Sequence, residues 1–291
     1  MISIIITAYK EPSTIGKAIE QILKNNLTDY EILVTAPDNE TLNVAKIYSK
    51  RYQFVRILKD EGKGKPAALN LAVNSARGDL LILTDGDVYV GGDSLGFLIK
   101  PFENPKIGAV SGNPVSLNSR KNRLGFWAYV LTSIASKRRL TALKLKRRFF
   151  CSGYLFAIKK SLFPKLPEEL LSEDGFISNN VYKKGYNLSY SLKSKVYVKY
   201  PTTFDDWVIQ KKRSAGGYNQ IRKMTSVEMR SFKKESLGGF SLLRYVSNTL
   251  EFFWLIELFL ARVYLWLVIY RDININKKSH KEIWKRVETT K

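Results

Sequence analysis

The sequence predicts an α/β fold: a mixed, mainly parallel sheet with helices on both faces, followed by C-terminal amphipathic or hydrophobic helices. Three observations carry this reading. Short apolar, β-branched runs alternate with helical repeats along the first part of the chain. The most uniformly apolar of these runs, residues 80–84, opens directly onto Asp85-Gly86-Asp87. After residue 105 the rhythm changes, and a long apolar stretch occupies residues 252–270.

Taken in order, residues 2–6 read as a buried first strand. Their apolar run is short and has no basic segment before it, so it does not resemble a signal peptide. Pro12-Ser13-Thr14 opens a helix in which Ile15, Ala18, Ile19, Ile22 and Leu23 recur at helical spacing. Residues 31–35 form a second strand, and Pro37-Asp38-Asn39 turns the chain into a helix reaching about residue 50. A third strand is expected at 54–58, a helix from Pro66 to Ala76, and the fourth strand at 80–84. Further on, 107–111 reads as a strand, 123–148 as a long helix and 149–158 as an apolar segment. A proline-punctuated loop then leads to Ser172-Glu173-Asp174. The organisation expected is one catalytic domain over 1–230 and a membrane-associated helical region with a basic tail over 231–291.

Composition narrows the chemistry. Lys and Arg number 48 against 26 for Asp and Glu, a net charge of +22. Such an excess draws anions: nucleic acid, anionic lipid or phosphorylated small molecules. A single cysteine, Cys151, rules out an internal disulfide framework and a cysteine-based zinc site. The one histidine, His280, lies in the polar tail, which argues against a histidine metal site or a Ser/His triad. Carboxylates, amides and basic groups are left to do the work.

Four motifs meet that requirement, and each also has an ordinary structural reading. Asp85 and Asp87, set two apart around a glycine at the C-terminal end of a central strand, can address a hard cation and its phosphates. Otherwise they form a polar turn. Gly62-Lys63-Gly64-Lys65 precedes a helix N-terminus, which suits a pyrophosphate, though the ending of a P-loop is missing and a solvated loop is its ordinary reading. Glu173-Asp174 is either a helix cap or a general base beside an acceptor hydroxyl. Gln210 through Gly217 holds Arg213, a potential bidentate grip on a diphosphate, on what is otherwise a solvated helix face.

In chain order, TAYKE at 7–11, GKPAALN at 64–70, DGD at 85–87, FFCSG at 149–153, SED at 172–174 and QKKRS at 210–214 resemble the inverting glycosyltransferases of family 2, and most nearly their cellulose-synthase-like branch. The resemblance spans about residues 1–225 and implies a GT-A, Rossmann-like fold with a DxD motif. Carried residue by residue, it implies that Thr7, Ala8, Tyr9 and Glu11 line a nucleotide pocket and that Asp38 contacts base or ribose. It places Lys65 and Asn70 on the nucleotide side. Asp85 would meet the ribose and Mg2+ or Mn2+, and Asp87 the metal directly. Phe150, Cys151, Ser152, Gly153 and Glu173 would border the acceptor, Asp174 would be the catalytic base, and Gln210 and Arg213 would hold the diphosphate of a UDP- or GDP-sugar. Two positions depart from the family pattern. Ala36-Pro37-Asp38 replaces an acidic pair, and Ser214 stands where the family has a tryptophan that supports a growing polymer.

The apolar stretch 252–270 is about the minimum length for a membrane span, yet it contains Glu257 and Arg262. Each such charge costs about 2.5–3.5 kcal/mol at a bilayer centre. Lys233 and Lys234 precede it, and Arg271, Lys277, Lys278, Lys281, Lys285 and Arg286 follow it. A helix lying in the interface keeps both basic flanks on an anionic leaflet. A second basic element, Lys137-Arg138-Arg139 with Lys144, Lys146, Arg147 and Arg148, follows apolar Leu124, Phe126, Trp127, Val130 and Leu131. The expectation is a peripheral, monotopic protein on the cytoplasmic face of the cell membrane, with a lipid-linked or saccharide acceptor. A nucleic-acid-binding protein and a sugar nucleotidyltransferase are the rival readings. The chain shows no common nucleic-acid-binding module, and SED and QKKRS argue against the nucleotidyltransferase.

Overall fold

Four parallel strands build the part of the molecule that the sequence marks most strongly. In the computed structural model, which describes residues 1–225, 239–272, 287 and 289–290, they are β1 (Ile2–Thr7), β2 (Tyr30–Ala36), β3 (Val55–Lys59) and β4 (Leu80–Asp85). Three helices connect them: α1 (Ile15–Leu23), α2 (Asn39–Arg51) and α3 (Lys65–Ser75). Ile4, Ile5 and Ile6 are all fully buried, because helices cover both faces of the sheet, and so β1 reads as a continuous apolar run rather than an alternation. Helix α1 buries Ile15, Ala18, Ile19 and Ile22, one stripe at helical spacing. Asp38 caps α2 by accepting from the Thr41 N–H. Gly64, at φ 101°, turns the chain into α3, which begins with Lys65 and Pro66.

The sheet has eight strands in the order β3-β2-β1-β4-β7-β6-β8-β5. Here β5 is Val88–Val90, β6 Ile107–Ser116, β7 Leu155–Lys159 and β8 Asn187–Val198. The β4–β7, β7–β6 and β5–β8 pairs are antiparallel, so the sheet is mixed, as expected. Helices α4 (Ser94–Ile99), α5 (Arg123–Lys144) and α6 (Glu173–Lys183) complete this part of the chain. The apolar segment 149–158 divides into a loop and then β7. The long helix stops at Lys144 rather than 148, and the chain reverses at Lys146, whose φ of 52° is left-handed.

Packing separates two units. The first comprises residues 1–115 and 135–198, with the whole of the sheet except the last residue of β6. The second comprises residues 116–134 and 199–290. Within it α7 (Phe204–Thr225) and α8 (Thr249–Tyr270) share a core with the first half of α5. Trp127 lies edge-on to Trp207 at 5.3 Å, and its indole N–H donates to the Trp254 carbonyl at 2.7 Å. The apolar stretch is therefore not an appendage: Leu255, Leu258, Leu265 and Ile269 are buried in that core. Its other face is exposed at Phe253, Ile256, Leu260, Tyr264 and Leu267. Lys233, Lys234, His280 and the tail cations Lys277, Lys278, Lys281, Lys285 and Arg286 lie outside the described residues.

Candidate active site

The C-terminal ends of β1 and β4 define the site. Parallel register sets Thr7 beside Asp85, and the Thr7 hydroxyl donates to Asp85 Oδ1 at 3.2 Å. The next residue, Gly86, donates its N–H to the Thr7 carbonyl at 2.9 Å, which folds the Asp85-Gly86-Asp87 turn down onto the end of β1. A Cβ on Gly86 would sit 2.8 Å from the Ala8 Cβ and 2.5 Å from Glu11 Oε2, so the turn requires glycine. Thr7, Ala8, Glu11, Asp85 and Asp87 thus gather at one edge, where ligands collect in open α/β sheets. Tyr9 stands outward, 42% exposed. The Lys10 N–H donates to Asp38 Oδ2 at 2.8 Å, which ties the first and second strand ends together. Burial raises the Asp38 pKa, but hydrogen bonds from Thr41 and Lys10 outweigh it and hold the carboxyl below its usual range.

Lys65 joins this edge to a distant part of the chain. Its Nζ lies 2.7 Å from Asp85 Oδ1 and 2.6 Å from Glu173 Oε1. Burial opposes the charge, but the two carboxylates raise the Lys65 pKa well above that of an ordinary lysine, so the ammonium is a permanent cation there. Glu173 is consequently more than a helix cap, because its carboxylate faces Lys65 although it sits in the first turn of α6. Asp174, beside it, accepts from the Ser172 hydroxyl at 2.7 Å and from the Gly175 N–H at 2.8 Å, both at Oδ1. Its Oδ2 faces Gly153: a Cβ there would lie 3.6 Å from it and 3.6 Å from Glu173 Oε1. The sheet thus brings the TAYKE, GKPAALN, DGD, FFCSG and SED segments to one locus.

The side chains of Asn70, Cys151 and Ser152 come out differently from expectation. The Asn70 amide accepts from the Leu166 N–H and donates to the Leu166 carbonyl, both at 2.9 Å, so this side chain clamps the loop before α6 instead of facing a nucleotide. Cys151 is 1% exposed and Ser152 5%, so their side chains are interior. The Cys151 N–H donates to Ser178 Oγ and the Ser152 N–H to Ser111 Oγ, each at 3.0 Å. Burial pushes the Cys151 thiol up to about 12, which makes it a poor nucleophile. Only Phe150 and Gly153 of this run are partly exposed. Gln210 and Arg213 lie on α7 in the second unit, where the Ser214 hydroxyl donates to the Gln210 carbonyl at 3.1 Å. Sequence reading named Lys65 and Glu173 separately and missed their pairing, because nothing local links them. The Ser111 and Ser178 hydroxyls, which set the 151–152 backbone, carried no signal at all.

Among the described residues there is no group of three or more His, Cys, Asp or Glu side chains able to hold a metal. Asp85 and Asp87 are two carboxylates on one tight turn, which fits a hard divalent ion that takes its other ligands from water and phosphate oxygens. It does not fit a site built wholly from protein.

A mixed sheet with a carboxylate pair at its central strand end and a second acidic pair alongside has the layout expected of a GT-A glycosyltransferase. Comparison with known proteins agrees. Residues 3–166 match the profile of glycosyl transferase family 2, more than half the chain, and the protein belongs to that family. Among curated relatives, the poly-β-1,6-N-acetyl-D-glucosamine synthase of Staphylococcus epidermidis is 24% identical over 232 residues, covering 76% of this chain and 55% of that protein. The same synthase from Staphylococcus aureus strain COL is 25% identical over 229 residues. The chain thus spans about half the length of the curated relatives it matches. Among solved structures, a Pyrobaculum calidifontis mannosyltransferase in complex with GDP-mannose and Mn2+ superposes with a TM-score of 0.62 at 16% identity, over 97% of this chain and 82% of that one. Residues 1–349 of S. aureus TarS give a TM-score of 0.51 at 18% identity, over 74% of this chain and 64% of that one. These likenesses establish the fold.

Proposed function

We propose that this protein moves a sugar from a UDP- or GDP-sugar to the hydroxyl or phosphate of a saccharide or lipid-linked acceptor, with inversion, at a membrane surface. One observation carries the reading: Lys65 touches both Asp85 of the donor-side turn and Glu173 of the acceptor-side pair, so the two halves of a transfer reaction share one locus. Asp85 and Asp87 would hold Mg2+ or Mn2+, which when bound supplies positive charge against the leaving diphosphate. Thr7, Ala8, Glu11 and Asp38 shape the nucleotide side. Lys65 adds a fixed cation where charge develops. Gln210 and Arg213 are assigned to the diphosphate on the family motif alone. Asp174 is the general base. Its Oδ1 is engaged by Ser172 and Gly175, which orients Oδ2 towards Gly153 to take the proton of the incoming hydroxyl. The hydroxyl oxygen attacks the anomeric carbon as the bond to the diphosphate breaks, and a single displacement inverts the configuration. A nucleoside-diphosphate release screen over UDP- and GDP-sugars with Mn2+, repeated with membrane extract as acceptor, tests this. Release of pyrophosphate instead would point to nucleotidyl transfer and overturn it.

The membrane part of the proposal rests on how α8 is held. At its start Arg120 meets Glu251 in a bidentate pair at 2.6 Å, and just past its end Lys212 pairs with Asp272. Both clamps belong to one packing unit, although the helix is about 33 Å long at 1.5 Å per residue. A crossing would strand one ion pair on each side of the bilayer. A helix lying in the interface keeps both, and presents Phe253, Ile256, Leu260 and Leu267 to lipid. We place it on the cytoplasmic face. Co-flotation with anionic vesicles tests the docking, and recovery wholly in the soluble fraction at low salt without detergent would overturn it.

A further inference from the structure

The tip of α5 is the most concentrated charge in the sequence and takes no part in the transfer chemistry above. Residues 137–148 hold seven cations and no acid. Lys137, Arg138, Lys144, Lys146, Arg147 and Arg148 are exposed. Lys137, Lys144, Lys146 and Arg147 have no carboxylate partner among the described residues. Complementing the helix dipole accounts for Lys144, the basic residue of the last turn, but not for the three cations beyond it.

Two further features tie this charge to the acceptor side. Two of the other cations are held at or beside the 149–153 run: Arg139 Nε donates to the Phe150 carbonyl at 3.2 Å, and the Arg148 guanidinium lies 5.1 Å from the Tyr182 ring centroid. The Tyr182 hydroxyl in turn bonds both the N–H and the carbonyl of Phe149, each at 3.2 Å. Secondly, the reversal that turns Arg147 and Arg148 back towards Phe149 is made by Lys146 at φ 52°. Glycine or asparagine takes that left-handed position at helix ends with least strain. A lysine there keeps a cation where the backbone would favour its removal.

We propose that the end of α5 and the turn after it, from Lys137 to Arg148, form a docking surface for the phosphate of a lipid-borne acceptor, set against the acceptor edge at Phe150 and Gly153. The inference rests on the reading of 149–153 as that edge. Phosphate explains both the sign and the density of charge, since a phosphomonoester presents more negative charge than a phosphodiester headgroup and attracts clustered cations more strongly.

The test uses the full chain and phosphatidylcholine vesicles doped with polyprenyl phosphate, or with phosphatidylglycerol to the same total charge. Wild type should bind the polyprenyl phosphate vesicles more tightly. The triple variant Lys144→Gln, Lys146→Gln, Arg147→Gln should lose about a hundredfold of that affinity, at about fivefold per cation. Lys146→Gly guards against misfolding as an explanation, because it removes one cation while relieving the left-handed strain. It should melt no lower than wild type and still bind these vesicles several-fold more weakly. Unchanged binding in both variants overturns the proposal. So does equal binding of the two vesicle types, or inorganic phosphate in solution competing at the affinity shown by the vesicles. Calorimetry of nucleoside diphosphate with Mn2+ on the same proteins keeps the two readings apart: it should be unaffected by the variants, and its failure in wild type would count against the donor site instead.

Discussion

The two ends of the parallel sheet carry nearly the same chemistry and put it to different uses. At the N-terminal end the β1 hydroxyl of Ser3 donates to Glu31 Oε1 at 2.7 Å, and at the C-terminal end the β1 hydroxyl of Thr7 donates to Asp85 Oδ1 at 3.2 Å. Each carboxylate also meets one cation, Arg56 at 2.7 Å and Lys65 at 2.7 Å. Each end has a glycine that a side chain would displace: Gly78, whose Cβ would meet β1 backbone at 2.6 Å, and Gly86. The contrast lies in closure. The Glu31 side chain is 2% exposed and is completed by the Arg77 N–H at 2.6 Å, so every partner it needs belongs to the protein. Asp85 is 21% exposed and Lys65 32%. A closed network of this kind stabilises the fold. An open one leaves charge for a ligand to complete.

If that distinction is right, changes at the open end should cost activity and those at the closed end stability. The largest effect is expected from Asp174→Asn, which should lower transfer by about 10²–10⁴ while nucleotide binding and melting temperature hold. Turnover near wild type would remove Asp174 from its role. Asp87→Ala should follow, with transfer down by about 10²–10³ and the metal-dependent part of donor binding lost, which calorimetry with and without Mn2+ would reveal. The pairing of Lys65 with Glu173 gives a smaller effect. Lys65→Met and Glu173→Gln should be non-additive in turnover by about 1 kcal/mol, roughly fivefold, because each removes the same contact. Strict additivity would mean that the lysine serves the donor alone.

Much of the strand framework was legible in the sequence, whereas the closed network around Glu31 was not. The run at 80–84 and the observed Leu80–Asp85 differ by one residue, because a segment buried on both faces reads as one continuous apolar run. Strand β8 was hidden: Leu192 is exposed and Ser194 buried, so the apolar alternation breaks in the middle of the strand. Strand β5 is too short to register, with three residues. At the site, identities were readable and partners were not. An asparagine in GKPAALN serves a ligand or a loop equally well by type, and its bond to Leu166, 96 residues away, arises only from the fold. Cys151 was expected at the lining because FFCSG resembles a family motif, and a motif does not say which of its side chains face inward.

Glu31 provides the test with the smallest effect and the clearest sign. Burial raises its pKa, but the bonds from the Arg77 N–H, the Ser3 hydroxyl and Arg56 outweigh that and leave it lowered. A carboxyl depressed in the folded state contributes stability above its unfolded pKa and loses it as pH falls through the folded value. Glu31→Gln should therefore destabilise the protein by about 1–3 kcal/mol near neutrality, with the gap from wild type closing in acid below the ordinary carboxylate range. Donor affinity measured at neutral pH should not move, since the far end of β1 is untouched. A variant that melted like wild type but bound nucleotide poorly would reverse the assignment of the two ends, making the buried network the one that serves the ligand.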